Sequence, residues 1–369
     1  MKISISKLSL LDPLTDLVAI VDNKTTQPIL GHVCLKAEDG VLTLKSTDTE
    51  VSLNIQIPVT THENGETTVP GHKFLNLVRK MPGDTVIDCV LSGEQFEISA
   101  AGSTVRLSTL PAADFPMAET PAPIHSLTLD ARQLHRIMSK VEFSMAREDV
   151  RFYLNGLFLN VVDGGHGLHA VTTDGHRLSC AAMPLAHPVA DDVSLILPRK
   201  AVRELIKLLA RGSGEVTLNL SERQLTLALG NHHLSTRLID GQYPNYQQVL
   251  PPSRETPVLI ATSALISALD RAKVLLVDKH DGIRLRFEGA HLHLAARNLE
   301  NESLDDHLDI INPENLHLDT GLNINYLMDA VRNIEGENLQ IHLTEGDRPC
   351  LLTSQEDRDV RYVIMPMRL

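Results

Sequence analysis

Apolar residues recur at helical spacing in six segments of the chain. In residues 198–211, "PRKAVRELIKLLAR", positions 202, 205, 206 and 209 follow the i, i+3, i+4, i+7 rule and predict one buried helix face. Pro198 stands where a first-turn proline is tolerated. The same spacing recurs near residues 70–81, 130–141, 262–273 and 325–334, and less regularly near 8–20, which contains Pro13. The pattern therefore predicts six helices.

Strand-like runs surround each predicted helix in a fixed order. One short run precedes the helix, and three alternating apolar and polar runs follow it, as in "TVIDCVL", "EQFEISA" and "TVRLSTL". Asp-Gly pairs at 39–40, 174–175, 240–241 and 281–282 supply turns. The chain is therefore predicted to repeat a strand–helix–three-strand unit six times.

The six units pair into three larger repeats. Residues 67–86 match residues 194–216, and proline-rich joints at 111–123 and 244–257 separate the thirds. The sequence predicts an α+β fold of three repeated domains, each with two helices and about eight strands. The predicted domains are residues 1–124, 125–252 and 253–369.

Three predicted helices carry positive charge in a chain whose net charge is negative. The 369 residues are 43% hydrophobic and carry a net charge of −13, which by itself argues against nucleic-acid binding. Basic stripes nevertheless lie on three predicted helices: Arg199, Arg203, Lys207 and Arg211; Arg132, Arg136 and Lys140; and His72, Lys73, Arg79 and Lys80. They indicate phosphate contact without base reading, or else solvated helix faces. Only 3% of residues are aromatic and none is Trp, which disfavours stacking on single strands.

Cysteine usage and the first residues indicate a cytosolic protein. The four cysteines are far apart in sequence and form no CxxC pair, so neither a disulfide framework nor a structural zinc site is expected. The N-terminal "MKISISKLSL" alternates polar and apolar residues, unlike a signal peptide. No run is long enough to span a membrane.

The stretch "TTDGHRLS", residues 172–179, raises the alternative of an enzyme. Asp174, His176 and Ser179 are residue types of a nucleophile–base–orienter set. Against catalysis, Asp174-Gly175 is typical of a turn, and the equivalent "STDTEVSL" at 46–53 keeps Thr-Asp without the histidine and arginine.

Histidine pairs raise the alternative of a metal-binding module. His291 and His293 fall on one face of a predicted strand, and His232 adjoins His233. With 17 histidines such pairs arise by chance, and no carboxylate or thiol stands at the usual ligand spacing. No metal or other cofactor is expected.

Several longer motifs resemble one family over the whole chain. They are "STLPAADFP" (108–116), "VRFYLNGLFL" (150–159), "TDGHRL" (173–178), "PRKAV" (198–202) and "YVIMPMRL" (362–369). The sequence resembles the bacterial sliding clamp, the beta subunit of DNA polymerase III. The resemblance implies a head-to-tail homodimer that closes a six-domain ring, with helices inside and sheets outside. It implies a non-catalytic, cytoplasmic and nucleoid-associated protein that encircles duplex DNA without sequence preference and confers processivity.

The resemblance also implies partners and site residues. The partners, bound through short linear motifs, are the replicative polymerase alpha subunit, the clamp-loader delta subunit, repair and translesion polymerases, and mismatch-repair and ligase proteins; no membrane is implied. Residues of the partner-peptide pocket, between the second and third domains, are Leu154, Thr173, Gly175, His176, Arg177, Leu178, Pro244, Val249, Val363, Met365, Pro366 and Met367. DNA-contacting residues are Lys24, His72, Lys73, Arg151, Tyr153, Arg199, Lys200 and Lys207. The dimer seam comprises Lys73, Val105, Leu107, Val274 and Leu275, with the acidic stretch at 299–306.

Three positions depart from the family pattern: Glu148, Gln248 and His72. Glu148 and His72 concern predicted DNA contacts, and Gln248 concerns the rim of the predicted partner-peptide pocket. Two alternatives to the principal replication clamp stay open on the sequence: a specialised or drug-resistance copy with the same ring, and an interaction scaffold that does not bind DNA.

Overall fold

The computed structural model describes residues 1–21, 26–117, 121–189, 193–276, 281–311, 317–343 and 348–368. Within them it confirms the six predicted helices. These are α1 (Lys7–Ile20), α2 (Gly71–Lys80), α3 (Ala131–Val141), α4 (Arg199–Arg211), α5 (Thr262–Leu275) and α6 (Ile324–Asn333).

The strands of the first half are β1 (Lys2–Ser6), β2 (His32–Glu38), β3 (Val41–Thr47), β4 (Val51–Pro58), β5 (Thr60–Glu63), β6 (Gly65–Pro70), β7 (Val86–Ser92), β8 (Gln95–Ala100), β9 (Ser103–Ser108), β10 (His125–Asp130), β11 (Gly156–Val162), β12 (Gly167–Thr173) and β13 (Arg177–Pro184). Those of the second half are β14 (Ser194–Pro198), β15 (Glu215–Leu220), β16 (Gln224–Leu229), β17 (His232–Arg237), β18 (Val258–Ala261), β19 (Gly282–Glu288), β20 (His291–Arg297), β21 (Ser303–Asp309), β22 (His317–Asn323), β23 (Asn338–His342), β24 (Cys350–Ser354) and β25 (Val360–Ile364). One strand, a helix and three strands recur as predicted, with β5 as an addition.

The helices pack with the faces that their sequence periodicity predicts. In α4, Val202, Leu205 and Leu209 are buried, whereas Arg203 and Lys207 are exposed. Helix α1 begins at the cap residue Ser6 and continues through Pro13. Burial of apolar side chains, rather than intrinsic propensity, therefore stabilises these short helices.

Two compact units result, and each combines segments that are distant in sequence. Unit 1 contains residues 1–132 and 200–238. It holds a five-stranded sheet of order β5-β1-β7-β8-β9 and an eight-stranded sheet of order β10-β15-β16-β17-β4-β3-β2-β6. Helices α1 and α2 pack against each other, and α1 also packs on β3 and β4.

Unit 2 contains residues 133–199 and 239–369. Its eight-stranded sheet has the order β14-β11-β12-β13-β25-β24-β23-β18, and its four-stranded sheet has the order β21-β20-β19-β22. Helices α5 and α6 pack against each other. Sheet pairing, which is non-local, thus joins strands across the predicted boundaries of the thirds, and the boundaries at 124 and 252 stay predictions.

Candidate partner-binding site and charged surfaces

The ends of β13 and β25 form the floor of an apolar site in unit 2. These strands are antiparallel neighbours, with Leu178 opposite Val363. Both residues are buried, as is Leu154 from the preceding loop. They share one cluster with Ala146, Val171, Cys180, Ile196, Tyr243, Tyr246 and Leu351. The structure therefore brings three of the predicted pocket residues into a single buried floor.

Aromatic side chains support this floor, and the sequence motifs did not single them out. Tyr243 stacks on Phe158 with ring centroids 4.6 Å apart and an interplanar angle of 4°. Tyr246 Oη lies 2.9 Å from His169 Nδ1. The Tyr243-Pro244 pair repeats Phe115-Pro116 after the preceding domain's last strand. This repeated aromatic–proline pair is the sequence feature that could have indicated that the segment after the last strand packs on a sheet.

Exposed apolar residues surround the buried floor. Val249, Met365 and Met367 are 39%, 42% and 39% exposed, and Pro244 is also exposed. Pro366 is partly buried. Exposed apolar groups above a packed floor are the arrangement that binds a few side-chain anchors, and methionine adapts to anchors of different shape.

The C-terminal segment is fixed by its backbone. Met365 N donates to His176 O at 2.9 Å, and Met367 N donates to Gly321 O at 2.8 Å. The first bond extends the β13–β25 pairing and places Met365 beside the turn at 173–177. The second ties the end of the segment to β22.

That turn is built by Thr173 and Asp174. Thr173 Oγ1 donates to Arg177 O at 2.6 Å, and Asp174 Oδ1 accepts from the backbone N–H groups of His176 and Arg177 at 2.9 and 3.0 Å. Gly175 has φ +89°, a conformation that L side chains rarely adopt. Gly175 and His176 are exposed. The turn therefore presents His176 to solvent on a rigid base.

The Arg177 side chain makes internal contacts and is little exposed to solvent. Its guanidinium donates to Asp174 at 3.1 Å and to Phe143 O at 2.8 Å. It pairs with Asp329 at 2.7 Å and lies 4.4 Å from the ring centroid of Tyr326. With its side chain only 12% exposed, Arg177 joins the turn to α6.

The described geometry gives no support to the enzyme alternative. Ser179 is buried, and its Oγ lies 2.6 Å from Ser144 Oγ. The Asp174 carboxylate is occupied by backbone N–H groups and by Arg177, while His176 is exposed. Both faces of β13 are buried at Ser179, so Asp174, His176 and Ser179 are not aligned as a nucleophilic set.

Most predicted DNA contacts on α4 have internal partners. Arg199 donates to the carbonyls of Met145 and Ala146 at 2.9 Å. Lys200 donates to Ile20 O at 2.8 Å and pairs with Asp48. Lys207 pairs with the buried Glu204 at 2.8 Å, although its own side chain is 58% exposed. These bonds hold the start of α4 in place, and they reduce the positive charge available to a ligand.

The other predicted DNA contacts are dispersed over both units. In unit 1, Lys73 on α2 is exposed and His72 is partly buried, whereas Lys24 lies outside the described residues. In unit 2, Arg151 is exposed and Tyr153 is partly buried. The hydrogen bond from Arg151 lowers the pKa of Asp149 to about 2.

Two of the three cations on α3 pair with one buried carboxylate. Asp357 is 1% exposed and accepts from Arg136, while Lys140 Nζ lies 2.8 Å from its Oδ2. Lys140 also donates to Asn333 O at 2.7 Å. Arg132 alone of the three stripe residues is exposed. Sequence spacing identified the cations but not the distant carboxylate that pairs with two of them.

The predicted seam residues lie at two sheet edges and on two helices, with the exposed Lys73 on α2. In unit 1, β9 is the last strand of its sheet; Leu107 is buried and Val105 partly so. In unit 2, β21 is the last strand of its sheet. Val274 on α5 is 73% exposed, and Leu275 is partly buried. Edge strands offer unpaired backbone groups for association.

The metal alternative finds no geometric support in the described part of the chain. No group of three or more His, Cys, Asp or Glu side chains there is placed to hold a metal ion. His291 Nδ1 instead lies 3.0 Å from Asp309, across a strand pair. The cysteines Cys34, Cys89, Cys180 and Cys350 are free and buried. No helix in the described residues is long and apolar enough to cross a bilayer.

Comparisons with known proteins agree with this architecture. Three family models of the DNA polymerase III beta subunit match in order: the N-terminal domain at residues 1–119, the central domain at 128–245 and the C-terminal domain at 247–368. The beta sliding clamps of Pseudomonas putida and Escherichia coli K12 are each 33% identical, with 100% of both chains covered.

Solved structures give the same result. The Pseudomonas aeruginosa DNA polymerase III beta subunit superposes with a TM-score of 0.94, 33% identity and full coverage of both chains. A griselimycin-bound sliding clamp from the same species superposes with a TM-score of 0.95, also at 33% identity and full coverage. The fold is thus that of a sliding clamp with three α+β domains. The chain belongs to the DNA polymerase III beta subunit family, the bacterial beta sliding clamps.

Proposed function

We propose that two copies of this chain close head to tail into a ring around duplex DNA and tether replication proteins to it. The family assigns the chain to replication as a processivity clamp. The observation that carries the proposal is the ordered match of three domain models to the whole chain. The proposed role is topological and non-catalytic, in the cytoplasm and at the nucleoid.

The test is retention on DNA of different topology. The chain is loaded with a clamp loader onto nicked circular DNA, and half of each sample is linearised before gel filtration. A ring stays on circles and leaves through open ends, because weak phosphate contacts do not hold it. Equal retention on both forms would show binding by contact alone and would contradict the proposal.

Exposed cations, rather than paired ones, are proposed to face the DNA. Arg132 and Arg203 are exposed, whereas Arg199 holds two backbone carbonyls. Replacing Arg132 and Arg203 by Glu should reduce loading and make the salt dependence of DNA binding less steep, because fewer counterions are released. The matched control is Lys36→Glu, which changes an exposed lysine on β2. Equal losses in both variants would refute a specific role for the helices.

The proposed dimer seam joins the β9 edge of one protomer to the α5 and β21 region of another. Val274 and Leu275 contribute apolar surface there. Val274→Ala with Leu275→Ala should give monomers at nanomolar concentration, because obligate ring contacts depend on buried apolar area. Leu8→Ala, at an apolar position that is 63% exposed, is the control. A dimer that persists in the double variant would disprove this seam.

The apolar site of unit 2 is proposed to dock short linear motifs. Polymerase alpha, the clamp-loader delta subunit and the repair, translesion, mismatch-repair and ligase proteins are the expected users. Support comes from the buried Leu178–Val363 floor and the exposed methionines around it. Met365→Ser with Met367→Ser should weaken an apolar motif peptide about tenfold. Met117→Ser, at a methionine of unit 1 that is 64% exposed, should not.

A further inference from the structure

The eight-stranded sheets of the two units have the same construction. In unit 1, β4 pairs with β17, and in unit 2, β13 pairs with β25 at the same place in the strand order. The segment after β9 carries Phe115-Pro116, and the segment after β17 carries Tyr243-Pro244. Unit 1 therefore has a topological counterpart of the apolar site in unit 2.

The side chains at equivalent positions differ in character. Unit 2 places Leu178 opposite Val363 and Leu351 opposite Val363. Unit 1 places Ser52 opposite Ser235, and Thr226 opposite Ser235. Hydroxyl groups thus stand at the positions that Leu178, Val363 and Leu351 occupy in unit 2. The counterpart in unit 1 is built for a polar ligand rather than for apolar anchors.

A groove of about 480 Å³ lies at this position in unit 1. It falls within the range of about 300–1,000 Å³ that is typical of ligand sites. The lining includes Ser52, Thr226 and Ser235 together with Phe115 and Met117 of the covering segment. The groove lies across β15, β16, β17, β4 and β3, because its lining residues come from all five strands.

One cross-strand row gives the groove its charge. Asn54 on β4 lies between its register partners Lys45 on β3 and His233 on β17. All three line the groove, and no Asp or Glu is found among its described lining residues. Lys45 Nζ lies 3.7 Å from the neutral Met117 Sδ, and it has no ion pair with a described residue. A negatively charged group is therefore favoured beside Lys45.

A second observation points to a ligand that donates hydrogen bonds. Asn54 Oδ1 is buried and accepts no hydrogen bond from any described residue. That oxygen is closed to a ligand, but the partly exposed hydroxyls of Ser52, Thr226 and Ser235 line the same groove and can accept from a donor on a ligand. A peptide N–H group is such a donor, and an acidic side chain on the same peptide would reach Lys45.

We propose that the groove of unit 1 is a second docking site, which binds an extended acidic peptide. The carboxylate pairs with Lys45, and the peptide backbone donates to the hydroxyls of Ser52, Thr226 and Ser235. The likeness to the unit 2 site rests on the proposed function of that site. The charge of Lys45 and the hydroxyls of the groove do not rest on it, so the experiment can reject one site and leave the other standing.

The experiment uses methyl NMR of the full-length protein labelled at its methionines. Met117 reports on the groove, and Met365 and Met367 report on the apolar site. One probe is a capped heptapeptide that alternates serine and glutamate; the matched probe has glutamine in place of glutamate. The acidic probe should shift the Met117 methyl signal and leave the other two in place. The glutamine probe should bind at least about tenfold more weakly.

Two variants locate the effect. Lys45→Glu should weaken the acidic probe by about tenfold or more, because it replaces attraction by repulsion. Lys36→Glu changes a lysine of the same sheet that does not line the groove, and it should have no effect. Thr226→Val with Ser235→Ala removes two hydroxyl acceptors of the groove and should weaken both probes. Unchanged unfolding midpoints would confirm that each variant is folded.

Three results would overturn the proposal. The first is an unshifted Met117 signal with the acidic probe at millimolar concentration. The second is equal affinity of wild type and Lys45→Glu. The third is a Met117 shift produced by a 12-nucleotide single-stranded DNA but not by the peptide, which would assign the groove to phosphate. An apolar heptapeptide of serine, leucine and phenylalanine tests the unit 2 site separately, through Met365 and Met367.

Discussion

Asp357→Asn tests whether the cations of α3 stabilise the fold. The Asp357 carboxylate is 1% exposed and binds the Arg136 guanidinium. Lys140 Nζ lies 2.8 Å from Oδ2, and the Glu335 backbone N–H donates to the same oxygen at 3.3 Å. Asparagine has almost the same shape, but it is neutral and turns an amide group toward one of the two cations. The substitution therefore removes charge with little change in packing.

The loss of stability expected from Asp357→Asn depends on how well Arg136 and Lys140 can replace the lost carboxylate with water or other partners. Removing one partner of a buried ion pair costs about 3–5 kcal/mol. Arg136 has a side chain 35% exposed and can regain water. Lys140 is only 11% exposed, but it keeps Asn333 O at 2.7 Å and Glu335 at 2.8 Å. The free energy of unfolding should therefore fall by about 3 kcal/mol, near the lower end of that range.

Urea unfolding followed by circular dichroism measures this change. Protein concentration must be fixed, because dimerisation contributes to apparent stability. The matched control is Asp359→Asn, since Asp359 lies two residues away and is exposed. It should change stability by less than about 0.5 kcal/mol. Equal effects of the two substitutions would refute the role assigned to the Asp357 network.

Three further predictions concern single groups. Burial lowers the pKa of His342, whose Nδ1 accepts from Arg254 N at 2.9 Å. The unfolded chain therefore binds the proton more readily, and stability should fall as pH drops below about 6.5. His342→Gln should reduce the fall of the urea midpoint between about pH 7.5 and 5 but not abolish it, because burial also lowers the pKa of His32 and His169. Burial raises the pKa of the Cys180 and Cys350 thiols to about 12, so at pH 8 both should react with Ellman's reagent only in urea. Gly175→Ala places a side chain at φ +89° and should cost about 1–2 kcal/mol in the same unfolding assay.

The prediction of elements from sequence succeeded where the signal was local. Helix α4 was predicted at residues 198–211 and occupies Arg199–Arg211, because apolar spacing alone defines its buried face. The turn at Asp174-Gly175 was expected from turn chemistry and is confirmed by the bonds to Asp174. The family was identified from motifs that span the chain.

The function of the charged residues could not be predicted in the same way. Arg136 and Lys140 form a regular basic stripe in sequence, yet their partner Asp357 lies more than 200 positions further along the chain. Arg177 is predicted to line the pocket, and the sequence did not show that its guanidinium also contacts Asp329 and Tyr326. Ion pairing depends on the distance between two side chains, and only folding brings distant residues close together. A charge pattern along the sequence therefore does not show which carboxylate each cation meets.

By itself the sequence determined the repeat, the helices and strands, and the family, because these depend on periodicity and short motifs. Only the tertiary structure decided which sites those elements make. Sheet pairing placed Leu178 beside Val363 in unit 2 and Ser52 beside Ser235 in unit 1. The two places share one backbone arrangement, and they differ because register selects which side chains face the same space.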